Sequence, residues 1–152
     1  MVIEEKIKEL GYTLLETPKP LAAYIPAIRT GDYVYTSGQV PFADGQLKYS
    51  GKIGFDLSIE EGQKAAELCT LNALSAIKSV IGNLNKIEQI IKVTVFVNSA
   101  DAFTDQPKVA NGASELLENI FGDAGRHVRS AVGVNELPID SAVEVEMIVK
   151  VK

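Results

Sequence analysis

The residues best suited to chemistry gather near the carboxyl end of the chain. There the run Gly125-Arg126-His127-Val128-Arg129-Ser130-Ala131-Val132-Gly133-Val134 sets a guanidinium among small and apolar residues. Burying a guanidinium in such a strand without an anionic partner costs several kcal/mol, so Arg129 must meet one. Two partners are open. Glu144 or Glu146 on a neighbouring strand would make a structural ion pair, and residue type alone favours this. A ligand carboxylate would instead be gripped by two parallel hydrogen bonds, a geometry that Arg matches better than Lys. Glu144 and Glu146 occupy alternate positions and so share a face. Like charges so placed raise at least one pKa, which suits an acid or base that holds a proton near neutrality, although two solvated carboxylates are the simpler account. Ser37-Gly38-Gln39 can present a backbone N–H and a hydroxyl to a ligand or simply make a turn. Asn111-Gly112-Ala113-Ser114 can line a pocket or belong to ordinary early-helix sequence, and Tyr24 suits a core as well as a ligand contact. His127 is the single histidine and no Gly-x-Ser-x-Gly elbow is present, which argues against acyl transfer by a Ser-His-Asp triad. Cys69, beside Leu68 in a helical run, reads as a buried structural thiol rather than a nucleophile.

The whole chain limits what such residues can serve. Its 152 residues, 46% hydrophobic and 23% charged, match one domain with a real core. The formal net charge of −5 repels nucleic acid and anionic membranes unless a basic patch overrides it, and the 15 Lys and Arg are scattered among acids. One cysteine and one histidine leave no internal disulfide and no Cys/His metal site. The opening Met1-Val2-Ile3-Glu4-Glu5-Lys6 lacks a signal-peptide apolar stretch, and no apolar run reaches membrane-spanning length. A cytoplasmic protein with no required metal is expected.

The elements that must position these residues follow from periodicity. Ile3, Ile7 and Leu10 before Gly11 predict a short N-terminal helix. Leu21 to Ile28 and Asp32 to Ser37 read as strands around the turn Thr30-Gly31-Asp32, and Asp44-Gly45 marks another turn. Ser58 with Glu61 forms a capping-box signature for a helix to Ile81, with Leu68, Leu71, Leu74, Ile77 and Ile81 as its apolar stripe and Gly82 as its stop. Ile90 to Val97 reads as a strand apolar on both faces. A second helix is expected from Gln106 or Pro107 to Phe121, then strands Val128 to Val134 and Ala142 to Val151 across Leu137-Pro138. In the last strand Val143, Val145, Met147, Val149 and Val151 should pack on the helices, while Glu144, Glu146, Ile148 and Lys150 face away. The order predicts a two-layer α+β domain, two helices on one face of a mixed sheet. A second sheet face of valines, isoleucine and carboxylates is poorly explained by water and predicts self-association.

Tyr24, Tyr35-Thr36-Ser37-Gly38-Gln39-Val40-Pro41, Val93 to Val97, Asn111, Arg129-Ser130-Ala131-Val132 and Leu137-Pro138 through Val143-Glu144-Val145-Glu146 together resemble, in order, the RidA/YjgF family. This family is also called L-PSP endoribonuclease-like, and the likeness runs from about residue 20 to residue 151. The resemblance implies a chorismate-mutase-like fold in a homotrimer, with a central β-barrel and clefts between subunits. It also implies hydrolytic deamination of enamines or imines derived from amino acids, in the manner of a 2-iminobutanoate/2-iminopropanoate deaminase, without a cofactor. On it, Arg129 grips the substrate carboxylate, Glu144 handles water, and Tyr24, Ser37, Gly38 and Asn111 line the pocket. The chain departs from the family pattern at Ala22-Ala23, at Ala131, at a longer Thr104–Ala110 stretch and at His127, which stands where proline is common and is a candidate for altering the pocket. The N-terminal helix over residues 1–11 is extra. A non-catalytic metabolite-binding protein using the same cleft is the alternative, and the acidic charge argues against a ribonuclease.

Overall fold

The computed structural model describes residues 2–17 and 23–152. Helix α1 spans Ile3–Glu9, and a hairpin follows from β1 (Ala27–Thr30) to β2 (Tyr33–Thr36). A small separate hairpin pairs β3 (Phe42–Ala43) with β4 (Gln46–Leu47) around the Asp44-Gly45 turn. Then come α2 (Ile59–Ile81), β5 (Ile87–Asn98), α3 (Gln106–Phe121), β6 (Val128–Val134) and β7 (Val143–Val151). The main sheet has five strands in the order β1-β2-β7-β5-β6. Its β5–β6 pair is parallel and the others antiparallel, so α3 is the crossover that a parallel pair requires.

The expected strand from Leu21 to Ile28 is corrected. Leu21 and Ala22 lie outside the described residues, Ala23 to Pro26 are not in a strand, and the strand runs from Ala27 to Thr30. Pro26 has no N–H to give a ladder, and it contributes only its carbonyl, to the Ser37 N–H at 2.8 Å.

Helix α2 begins where its capping box sets it. The Glu61 N–H donates to Ser58 Oγ at 3.1 Å and the Ser58 N–H to the Glu61 carboxylate at 3.2 Å. It stops at Gly82, whose φ of 84° lies in the left-handed region. Leu71, Leu74 and Ile77 are buried against the sheet with Val93, Val95, Val97, Val143, Val145 and Met147. Helix α3 lies close against α2, because a Cβ at Gly112 would overlap the backbone carbonyl oxygen of Gln63. That approach fixes the rotation of α3, leaving Asn111 and Ser114, one turn apart, on the flank toward β6.

Residues paired across strands share a face. Lys92, Thr94 and Phe96 pair with Val128, Ser130 and Val132 on one side, and with Ile148, Glu146 and Glu144 on the other. Among the described residues no helix covers this face, and it also holds Tyr35 and Ile28, the latter 56% exposed. The expected division of β7 therefore holds, with alternate residues buried under the helices and the rest half-buried on the uncovered side.

Candidate functional site

Arg129 registers with the buried Val93, so its side chain leaves β6 on the helix side, toward α3. There Nη1 donates to Asn111 Oδ1 at 2.9 Å and to Ser114 Oγ at 3.1 Å, while Nη2 lies 3.5 Å from the Pro107 carbonyl. All three acceptors are neutral. Among the described residues no carboxylate lies within 4.0 Å of the guanidinium. The expected ion pair to Glu144 or Glu146 is thus corrected: β5 separates β6 from β7, and both glutamates sit on the opposite face of the sheet.

His127 immediately precedes β6. Its Nδ1 is 2.6 Å from the Gly125 carbonyl and its Nε2 2.9 Å from Ser114 Oγ. The carbonyl can only accept, so it fixes the tautomer with hydrogen on Nδ1 and leaves Nε2 to accept from the serine hydroxyl. Ser114 is then donor to His127 and acceptor from Arg129. Burial pushes the His127 pKa down, the Gly125 carbonyl opposes this, Arg129 adds to it and Glu118 opposes it, so the ring is neutral at pH 7. Gly125 is placed by a second close approach, since a Cβ there would overlap the Leu117 carbonyl at the end of α3. Ser114, Glu118, Gly125, Arg126, His127 and Arg129 line one open cavity of about 390 Å³. Arg126 is neutralised there by Glu118 at 3.1 Å, which leaves Arg129 as the cation without a counter-charge.

The other candidates form a second group at the far end of β2. Glu144 lies against Gly38, where a Cβ would overlap its carboxylate, and the Gln39–Val145 bridge continues the ladder beside it. Burial first and Glu146 second raise the Glu144 pKa, so the expected direction holds although the like charge is the smaller cause. Ser37 Oγ donates to the Ile25 carbonyl at 2.6 Å, and this hydroxyl is committed within the chain. Tyr24, one residue earlier, is 53% exposed at a bend. Cys69 is buried with its thiol 3.5 Å from the Val143 carbonyl, a structural position.

One chain therefore brings Asn111, His127 and Arg129 together, and separately Ser37, Gly38 and Glu144. It does not bring Arg129 to Glu144. Ser114 is the residue that sequence reasoning missed as a partner of His127. Its signal is its spacing three residues after Asn111, which places both on one helix flank. Among the described residues no group of three or more His, Cys, Asp or Glu side chains is placed to hold a metal ion. No described helix is long and apolar enough to cross a membrane.

The mixed sheet with its helices on one face defines the chorismate-mutase-like class of α+β proteins. Residues 4–151 match the family described as "YjgF/chorismate_mutase-like, putative endoribonuclease", and the chain belongs to that family. It is 38% identical over 149 residues to Protein TCP17 of Trypanosoma cruzi, covering 97% of this chain and 93% of that one. It superposes on the crystal structure of Atu1372 from Agrobacterium tumefaciens, a protein of unknown function, with a TM-score of 0.92 and 41% identity over 99% of this chain and 94% of the other. A protein of Dermatophagoides farinae named 2-iminobutanoate/2-iminopropanoate deaminase is 28% identical over 135 residues, 89% of this chain and 91% of its own.

Proposed function

We propose that the chain hydrolyses reactive enamines or imines derived from amino acids to a 2-oxo acid and ammonia, with Arg129 taking the substrate carboxylate. The observation that carries this reading is a guanidinium held, among the described residues, by neutral acceptors at the wall of an open cavity. Asn111 and Ser114 fix its plane and leave Nε and Nη2 as the edge for a planar anion. Family membership and the relative named as an imine deaminase support the same reaction class. Positioning and proton transfer suffice for it, because water adds to a carbon that is already electrophilic. The test generates imines in place by oxidising amino acids and follows 2-oxo acid release. Release no faster than the spontaneous reaction, with 2-oxobutyrate still bound, would favour a metabolite-binding protein instead.

We also propose that the functional unit is a homotrimer with its uncovered sheet faces turned inward as a barrel. Ile28, Tyr35, Phe96, Val132 and Ile148 make that face too apolar to stand in water, and Arg129 can meet Glu144 only if a second copy supplies one of them. The cleft residues on this proposal are Arg129, Asn111 and His127 with Tyr24, Ser37, Gly38 and Glu144. Static light scattering at micromolar concentration should give three times the chain mass, and a monomer mass would overturn the assembly.

A further inference from the structure

The uncovered face of the sheet is not uniformly apolar. One row across it reads Val128, Lys92, Ile148, Tyr35 and Ile28, taken in turn from β6, β5, β7, β2 and β1. The next row reads Ser130, Thr94 and Glu146. A cation and an anion therefore stand at the middle of this face, on the adjacent strands β5 and β7. They are diagonal neighbours, at a spacing of about 7–8 Å that long side chains can bridge. Both border one cavity of about 140 Å³ with Tyr35, Thr94 and Ile148. Yet among the described residues neither has an ion-pair partner within 4.0 Å. Within one chain Lys92 is exposed and Glu146 half-buried, so water solvates both ends. Once the face is covered, each needs an opposite charge, since an unpaired ion taken out of water is strongly destabilising.

The charge pattern selects the occupant. A partner of one sign would leave Lys92 or Glu146 unmatched, and an apolar partner would strand both. A second copy of this chain brings one of each. Resting on the homotrimer proposed above, we infer that Lys92 of each copy pairs with Glu146 of the next. The pairs close a ring of alternating charges at the barrel axis, and the ring fixes the register of the copies. Strand β7 is the middle one of the five and β5 lies beside it, so both residues come nearest the axis when the faces turn inward. One cation and one anion from each copy leave the ring neutral. Glu144 takes no part in it, because it pairs with Phe96 one row further along and lies against Gly38. Enclosed charges of this kind set register and partner choice more than affinity, as charged and polar positions do in coiled coils.

The experiment compares the full chain with Lys92→Glu, with Glu146→Lys and with the two combined, by light scattering over a dilution series. Each single reversal turns the ring into like charges, so the concentration of half-dissociation should rise at least about tenfold. The combined exchange restores alternation and should return to within about threefold of wild type. Mixing the two single variants separates pairing across copies from pairing within one. Lys92→Glu chains carry only anions at these positions and Glu146→Lys chains only cations. Mixing therefore relieves repulsion between copies and leaves repulsion within each copy unchanged. Assemblies that hold both chains and survive greater dilution than either variant alone are expected. Circular dichroism of the dissociated chains should match wild type, so that lost mass reports assembly. Should a reversal unfold the chain, Lys92→Gln and Glu146→Gln replace it, each expected to weaken assembly by leaving one charge of every pair unmatched. Single variants that assemble like wild type, an exchange no better than they are, or mixing without gain overturns the inference alone. A wild type of monomer mass at micromolar concentration fails the trimer itself and the ring with it.

Discussion

Replacing Arg129 by alanine separates a ligand-gripping guanidinium from a structural one. The side chain makes two hydrogen bonds through Nη1, to Asn111 and Ser114, and sits half-buried at an open cavity. Bonds from a charged donor are worth about 1.5–3 kcal/mol each when fully buried, but water can replace the guanidinium here, so the loss of stability should be about 1–2 kcal/mol. Had Arg129 neutralised a buried glutamate, its removal would cost about 3–5 kcal/mol by stranding the carboxylate. For the ligand the balance reverses. Losing a two-pronged grip on a carboxylate should remove about 3–4 kcal/mol, some 10²- to 10³-fold in affinity. Arg129→Lys keeps the charge but not the fork and should fall between wild type and alanine. Thermal melting beside calorimetric titration with 2-oxobutyrate reads both quantities. A collapsed melting temperature with wild-type affinity per folded molecule would refute the reasoning.

Leu74, fully buried between α2 and the sheet, should cost about 2–5 kcal/mol as Leu74→Ala in urea unfolding, and a loss well under 1 kcal/mol would show that the stripe does not form the core. His127 has a lowered folded pKa, so below its ordinary value near 6.5 the unfolded chain takes up the proton first. Stability from this group is fully present above that value and falls as pH drops toward the folded pKa. The gap between wild type and His127→Gln should therefore shift against wild type on going from pH 7.5 to 5.5, and a gap independent of pH would contradict the shift.

The long helix and the crossover helix were legible because their signals are local. A capping box, an apolar stripe and a closing glycine need no tertiary information, and α3 ends where Phe121-Gly122 predicts. The partner of Arg129 was not legible. Sequence order places Glu144 on the strand after β6, which invites a neighbouring pair, but β7 inserts between β2 and β5 and leaves β6 at the edge. Strand order is a long-range property, set by which apolar faces the two helices can cover. The first strand failed for a related reason: Tyr24 and Ile25 have strand propensity, but the ladder of β2 reaches only to Ala27. The Ser114–His127 contact depends on two close backbone approaches, at Gly112 and Gly125, whose glycines look like ordinary helix and turn residues in the sequence.

The parity of the two strands makes one last expectation sharp. Arg129 pairs with Val93 and Glu144 with Phe96, an odd offset along β5, so alternation puts them on opposite faces whatever rotamers they adopt. No side-chain movement within one chain brings the Glu144 carboxylate into the Arg129 cavity. If hydrolysis needs both, each cleft takes Arg129 from one copy and Glu144 from another. Arg129→Ala and Glu144→Gln chains should then be inactive alone and partly active when co-assembled. A cleft that receives Arg129 from the glutamate variant and Glu144 from the arginine variant is intact, which random mixing at equal amounts gives in about one cleft of four. Glu144→Gln chains with full activity on their own would remove Glu144 from the chemistry. Two inactive variants that regain nothing on mixing would show that the cleft does not combine residues of different copies.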